Sequence, residues 1–323
     1  MLKKITVNTA MFGGIIAFVN IFTAVFGSKN SIEGVTVLVS ILVLMQKDLS
    51  RNPVRNLIKL VSLNLGLGAA AHVAGLSLWS GLVINFTAMA GLGYFLSSDL
   101  EKTAVVPFGL QYLFMLYAPV GGEDLVKRFA GLALGAVLVM LVQIAFRKKE
   151  GAIYSENSEG ENSDKVRWAY AIRIGILTAI SAFIVEFLNL SQGRWIVYSV
   201  FAITELYSEC CRQRSLERLQ GTAIGATVAL LLFTIIESDT ARTFIMLFMG
   251  YMDMYTRRYR DKIICVTVSV LASASLSGDV GLASIERLFY VAMGVGMALL
   301  ANKFIFESKS SECGSGGFES VSV

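Results

Sequence analysis

Apolar stretches follow one another along almost the whole chain, divided by short polar turns. They lie near 6–27, 34–47, 56–76, 80–97, 103–119 and 125–146, then 168–189, 194–208, 217–236, 240–256, 262–277 and 282–306. A helix crossing the hydrocarbon core takes about 20 mostly apolar residues. Backbone groups in hydrocarbon must be satisfied within the protein, which makes helices the natural form of such runs. The pattern predicts an all-α membrane protein of about twelve transmembrane helices. Composition agrees: 55% of the residues are hydrophobic and 16% charged, against about a quarter charged in a soluble domain. Soluble enzymes, nucleic-acid-binding domains and secreted disulfide scaffolds are excluded on this ground. The four cysteines have no paired spacing and His72 is the single histidine, so no metal site is expected. No cofactor motif, nucleotide-binding loop or Ser/His/Asp arrangement is visible, and enzymatic activity is not expected.

The first run follows Lys3 and Lys4, has no small-residue cleavage site and reads as a retained helix. Residues 147–167 are the one long polar break, with the Ser/Gly/Glu-rich composition of a cytoplasmic linker, and 307–323 reads as a disordered cytoplasmic tail. Placing the N-terminus in the cytoplasm puts most of the 28 Lys and Arg residues inside. Lys29, Lys127, Arg128, Arg194, Arg242 and Arg287 fall outside, and Arg173 falls within a span. That asymmetry predicts a multi-pass protein of the inner or plasma membrane with both ends cytoplasmic.

The two sides of the linker match at a fixed offset of 159: Gly34 with Gly193, Ser40 with Ser199, Arg55 with Arg214, Gly66 with Gly225, Arg128 with Arg287 and Gly135 with Gly294. Two parallel six-helix repeats, 1–146 and 168–306, are therefore expected. An even number of spans keeps the repeats in one direction, around an axis along the membrane normal.

Gly221 and Gly225 share one helical face, with Thr222 beside Gly221, and small residues on a membrane helix allow close backbone approach. Gly66 is the first-half match of Gly225 and is given the same helix-packing role. An AIRIGI helix carrying Arg173, then Trp195 before a short span, then Arg218, Gly221, Thr222 and Gly225 opening the next, resembles the fusaric acid resistance (aromatic acid exporter) family. The motif covers about 168–236. In the first half Lys59, Ser62 and Leu63 stand where Arg218, Gly221 and Thr222 stand in the second. The resemblance implies efflux of aromatic carboxylic acids, or organic-anion conduction as in distant plant relatives.

Arg173 is the leading substrate-binding candidate, since a planar guanidinium suits a carboxylate. Snorkelling to the cytoplasmic headgroups is its plainer reading. Arg218, Trp195 and Thr222 complete the substrate-binding set. Arg212, Arg214 and Arg218, with Lys47, Arg51, Arg55 and Lys59, read as a basic cytoplasmic rim that would also concentrate organic anions. Glu205, Asp253 and His72 are the proton-coupling candidates. Structural pairing of Glu205 with Arg218, and of Asp253 with Arg257 or Arg258, is the alternative, and for His72 it is plain packing. The expected protein is a transporter of a small organic-anion substrate, embedded in the lipid bilayer, without nucleic-acid partners. A passive anion channel and a non-transporting scaffold are the alternatives, and the glycine faces leave room for a homo-oligomer.

Overall fold

The computed structural model describes residues 2–44, 52–97, 104–145, 161–207, 210–276 and 278–304. Lys47, Arg51, Lys102, Ser277, the stretch 147–160 and the tail lie outside them. The described residues form α1 (Leu2–Phe26), a 3-10 turn (Ser28–Asn30), α2 (Ser31–Leu44), α3 (Pro53–Ala74), α4 (Leu78–Leu96), α5 (Val105–Tyr117) and α6 (Glu123–Ala145). There follow α7 (Glu161–Phe187), α8 (Arg194–Ile203), α9 (Cys210–Ile235), α10 (Asp239–Asp253), α11 (Tyr259–Ser275) and α12 (Val280–Phe304).

Among the described residues seven helices, α1, α3, α4, α6, α7, α9 and α12, are long and apolar enough to cross a membrane. This is fewer than the twelve spans that the apolar runs predict. At 1.5 Å per residue, the 10 residues of α8 and the 14 of α2 fall well short of a hydrocarbon core ~30 Å thick. Large apolar side chains remain exposed on the long helices, among them Ile21, Trp79, Phe95, Ile235 and Leu300. Such surfaces suit lipid and not water. These are the features of a membrane protein.

The chain divides into two compact units, Gly13–Phe187 and Met1–Phe12 with Leu188–Val323. In the first, α7 packs along α4. It begins at Glu161, inside the stretch whose composition reads as linker, with an Arg167–Asp164 ion pair of 3.1 Å in its opening turns. Tyr170, Ile174, Leu177 and Val185 recur at helical spacing as its buried face. Gly93 and Gly175 let the two backbones close: a methyl on Gly175 would stand 2.9 Å from Ala90 Cβ and 3.0 Å from the Phe86 carbonyl.

In the second unit, α11 and α12 pack on α9. A methyl at Gly221 would stand 2.7 Å from the Arg260 carbonyl, and one at Gly225 would stand 2.8 Å from Thr267 Cβ. Helices in lipid gain little from burying apolar surface, so close contact through small residues supplies the attraction. Gly294 plays the same part between α12 and α8, where a methyl would stand 2.6 Å from the Ile196 carbonyl. Gly66 does not take the packing role expected of it: it is exposed, and a methyl there would meet no atom within 4 Å. The buried face of α3 runs instead through Leu60, Asn64, Leu67, Gly68 and Ala71, and Gly68 makes the close approach, to Leu132 and Phe129 of α6.

Candidate functional site

A line of polar side chains runs through the second unit, between helices that are otherwise apolar. At one end Arg214 Nε donates to Glu205 Oε1 at 2.7 Å, just past the end of α8. The Arg214 guanidinium also lies 4.3 Å from the ring centroid of Tyr259, the first residue of α11. Arg218, one turn further along α9, donates from Nη1 to the Tyr259 hydroxyl at 2.8 Å and from Nε to Ser199 Oγ at 3.1 Å. Ser199 donates in turn to the Trp195 carbonyl at 2.6 Å. Over the Trp195 ring, 4.0 Å from its centroid, lies the guanidinium of Arg287 on α12. Arg194 stands 5.6 Å from the same ring and donates to Gln192 Oε1 at 2.9 Å. The line thus carries four arginines and one carboxylate.

Helical spacing explains why it forms. Arg214 and Arg218 are four residues apart and share a face of α9; Arg214 is half-buried and Arg218 is 8% exposed. Arg212 lies off that face and is exposed, so the α9 part of the basic rim expected from sequence divides into one solvent-facing residue and two that turn inward. Trp195 and Ser199 are likewise four apart, on α8.

Arg287 is the least compensated member. It is 3% exposed, and its Nε and Nη1 make no hydrogen bond. Its charged neighbours are Arg218 and Arg194. Taking such an ion out of water costs several kcal/mol even after relaxation, whereas a desolvated cation–π stack returns about 2 kcal/mol. The Trp195 ring alone does not balance that cost.

The matching arginine of the first unit is in a different state. Arg128 forms a buried ion pair with Glu33 at 3.0 Å. It also donates to Asn30 Oδ1 at 2.9 Å, the Ala118 carbonyl at 2.8 Å and the Lys29 carbonyl at 3.3 Å. At the offset of 159, Gln192 replaces Glu33. Arg242, on α10, is similarly satisfied, donating to the carbonyls of Ile236 at 2.9 Å and Ser275 at 2.8 Å.

The remaining residues singled out by sequence fall as follows. Arg173, on α7, is 1% exposed, so its guanidinium is held within the protein and does not snorkel. It belongs to the first unit. Thr222 is 1% exposed on α9, at the α11 contact beside Gly221. Glu205 pairs with Arg214, not with Arg218 as expected. Asp253 pairs with Lys262 at 3.6 Å and accepts from Thr256 at 3.3 Å, instead of pairing with Arg257 or Arg258. His72 is half-buried in the last turn of α3 and makes no hydrogen bond among the described residues. A groove of about 580 Å³ lined by α10, α11 and the turn between them, including Phe248, Met252, Tyr255 and Cys265, shares no residue with the arginine line.

Tyr259, Ser199, Arg194 and Arg287 were not singled out as site residues from sequence. The signal for Arg287 was nonetheless present: it matches Arg128 at the offset of 159, but with Gln192 where Arg128 has Glu33.

Residues 179–301 match the sequence profile of the fusaric acid resistance protein-like family. The match covers 123 of the 323 residues. Every member of the arginine line falls inside it. The chain is also 26% identical, over 140 residues, to "Uncharacterized protein ORF2" of Neisseria gonorrhoeae. That match takes in 42% of this chain and 34% of the relative, so the chain spans about a third of the length of the curated relative it matches. No solved structure matches.

Proposed function

We propose that the protein is an integral membrane transporter that exports small aromatic or other organic acids across the plasma membrane, with both chain ends in the cytoplasm. The observation that carries this reading is the line of four arginines and one carboxylate inside a fusaric acid resistance protein-like segment. Charged side chains within membrane helices are costly and characteristically mark ion and substrate pathways. A guanidinium fork recognises a carboxylate through two parallel hydrogen bonds. Arg218, Trp195 and Thr222 are the proposed substrate contacts of the second unit, and Arg173 is proposed separately as a substrate contact of the first. Glu205, which accepts from Arg214 at 2.7 Å within the line, is the proposed coupling carboxylate ahead of Asp253 and His72.

Two six-helix repeats, from 1–146 and 168–306, form the proposed scaffold. The bounds of α3 and α9, and of α6 and α12, fall close to 159 residues apart, which supports it.

The test is export of a panel of aromatic acids from cells expressing the wild type or Arg173→Ala and Arg218→Ala variants. Lower retention of at least one acid in the wild type, restored toward control levels in a variant, is expected. Equal retention with and without the protein would overturn the exporter reading. Flux at channel rates without a proton gradient in reconstituted vesicles would replace it with a passive channel.

A further inference from the structure

Arg128 and Arg287 occupy matching places in the two halves, and both are buried. The first is closed: a carboxylate, an amide oxygen and two backbone carbonyls take up its guanidinium. The second has an aromatic face on one side, two further arginines near it, and two nitrogens that no protein acceptor takes up. Three substitutions between the halves make the difference. Gln192 removes the acid, Arg194 replaces Val35 and adds a cation, and Trp195 replaces Thr36 and supplies the ring. All three cluster where α8 begins, and all three favour an added anion over an internal one.

We propose that Arg287, with Trp195, Arg194 and Arg218 around it, forms a binding site for the carboxylate of a small organic acid, and that the first half has no counterpart. The carboxylate takes the place that Glu33 holds against Arg128. The guanidinium edge grips it through two hydrogen bonds, while the ring of Trp195 covers the guanidinium face and holds the edge in position. An aromatic acid suits the site further, because Trp195 and Tyr198, 5.6 Å apart and edge to face, supply ring surface beside the cations. The site rests on the organic-anion reading above and gives it a location.

The shared chemistry is an anionic oxygen pair, which a soluble carboxylate and a lipid phosphate both offer; the site is assigned to the former. Thermal unfolding of the full chain in nanodiscs separates them. In zwitterionic lipid, benzoate should raise the midpoint of the wild type and of Arg257→Gln, a substitution at an exposed arginine outside the site. Arg287→Met should weaken benzoate affinity roughly tenfold to a hundredfold, the value of a charge-assisted hydrogen bond. Arg287→Lys, which keeps the charge but not the fork, should fall between. If Arg287→Met does not fold, the Arg287→Lys and Trp195→Phe variants carry the test, each with weaker binding than wild type. Unchanged benzoate affinity in these variants would overturn the proposal. So would stabilisation by phosphatidylglycerol alone, with no response to benzoate. Failure of the two readings is distinguishable. Benzoate binding that depends on Arg287, without export from cells, leaves the site and removes the transporter. Export that is indifferent to Arg287, with binding unaltered in the variants, does the reverse.

Discussion

The two halves of this protein bury an arginine at the same register and treat it in opposite ways. Around Arg128 stand the carboxylate of Glu33, paired at 3.0 Å, and hydrogen-bond acceptors from an amide oxygen and two backbone carbonyls. Around Arg287 the neighbours are a tryptophan ring and more positive charge. The contrast extends along the helices. Arg55 and Lys59 are exposed on α3, while their counterparts Arg214 and Arg218 turn inward on α9. The first unit's buried polar groups are mostly neutral: Gln111 donates to Asn64 at 3.2 Å, and Tyr112 to Asn85 at 2.6 Å. At the matching places the second unit has Val270, Ala223, Leu271 and Phe244. At the one matched pair of buried arginines, the first half sets an acid against the guanidinium and the second half does not.

The largest effect that can break this comparison is at Glu33. Glu33→Ala leaves Arg128 buried without its acid and should cost about 3–5 kcal/mol of stability, seen as a sharp fall in the unfolding midpoint in detergent. A loss below 1 kcal/mol would mean that Arg128 is not closed by that pair. Next comes the glycine contrast. Gly221→Ala drives a methyl into the Arg260 carbonyl and Ile263, and should cost about 1–3 kcal/mol by overpacking. Gly66→Ala meets nothing within 4 Å and should instead stabilise by up to about 1 kcal/mol through helix propensity. Equal effects at the two glycines would erase the difference between the faces of α9 and α3. Arg287→Met should move stability in the direction opposite to Glu33→Ala, raising the unfolding free energy by on the order of 1 kcal/mol without ligand, because it removes a desolvated charge. A clear fall in the midpoint would show that the protein itself compensates Arg287. The smallest change is Trp195→Phe, which keeps a ring but a weaker one and should cost about 0.5–1 kcal/mol by the same measurement.

Much of the helical layout was legible in the sequence, because apolar runs interrupted by polar turns report directly on membrane helices. The apolar runs near 56–76 and 217–236 became α3 and α9, and the Gly221 and Gly225 face met its neighbour closely. What the runs overstated was length: α8 ends at Ile203, since Glu205 and Leu206 serve the turn toward α9. The register of Gly66 was also hidden, because the packing face of α3 is set by Asn64 and Gly68 meeting α6, which the offset alone does not reveal. The arginines were legible as residues but not as environments. Counting positive charges placed Arg128 and Arg287 in one class. Only the pairing of side chains across helices separates a closed ion pair from an open cation.

The most direct measurement of the central claim is a crystal soaked with 4-iodobenzoate, whose iodine is located by its anomalous signal. The account predicts a carboxylate against Arg287 and Trp195 with iodine beside them, and no iodine near Arg128. Iodine at Arg128, or carboxylate density absent from Arg287 while the acid binds elsewhere in the protein, would contradict it.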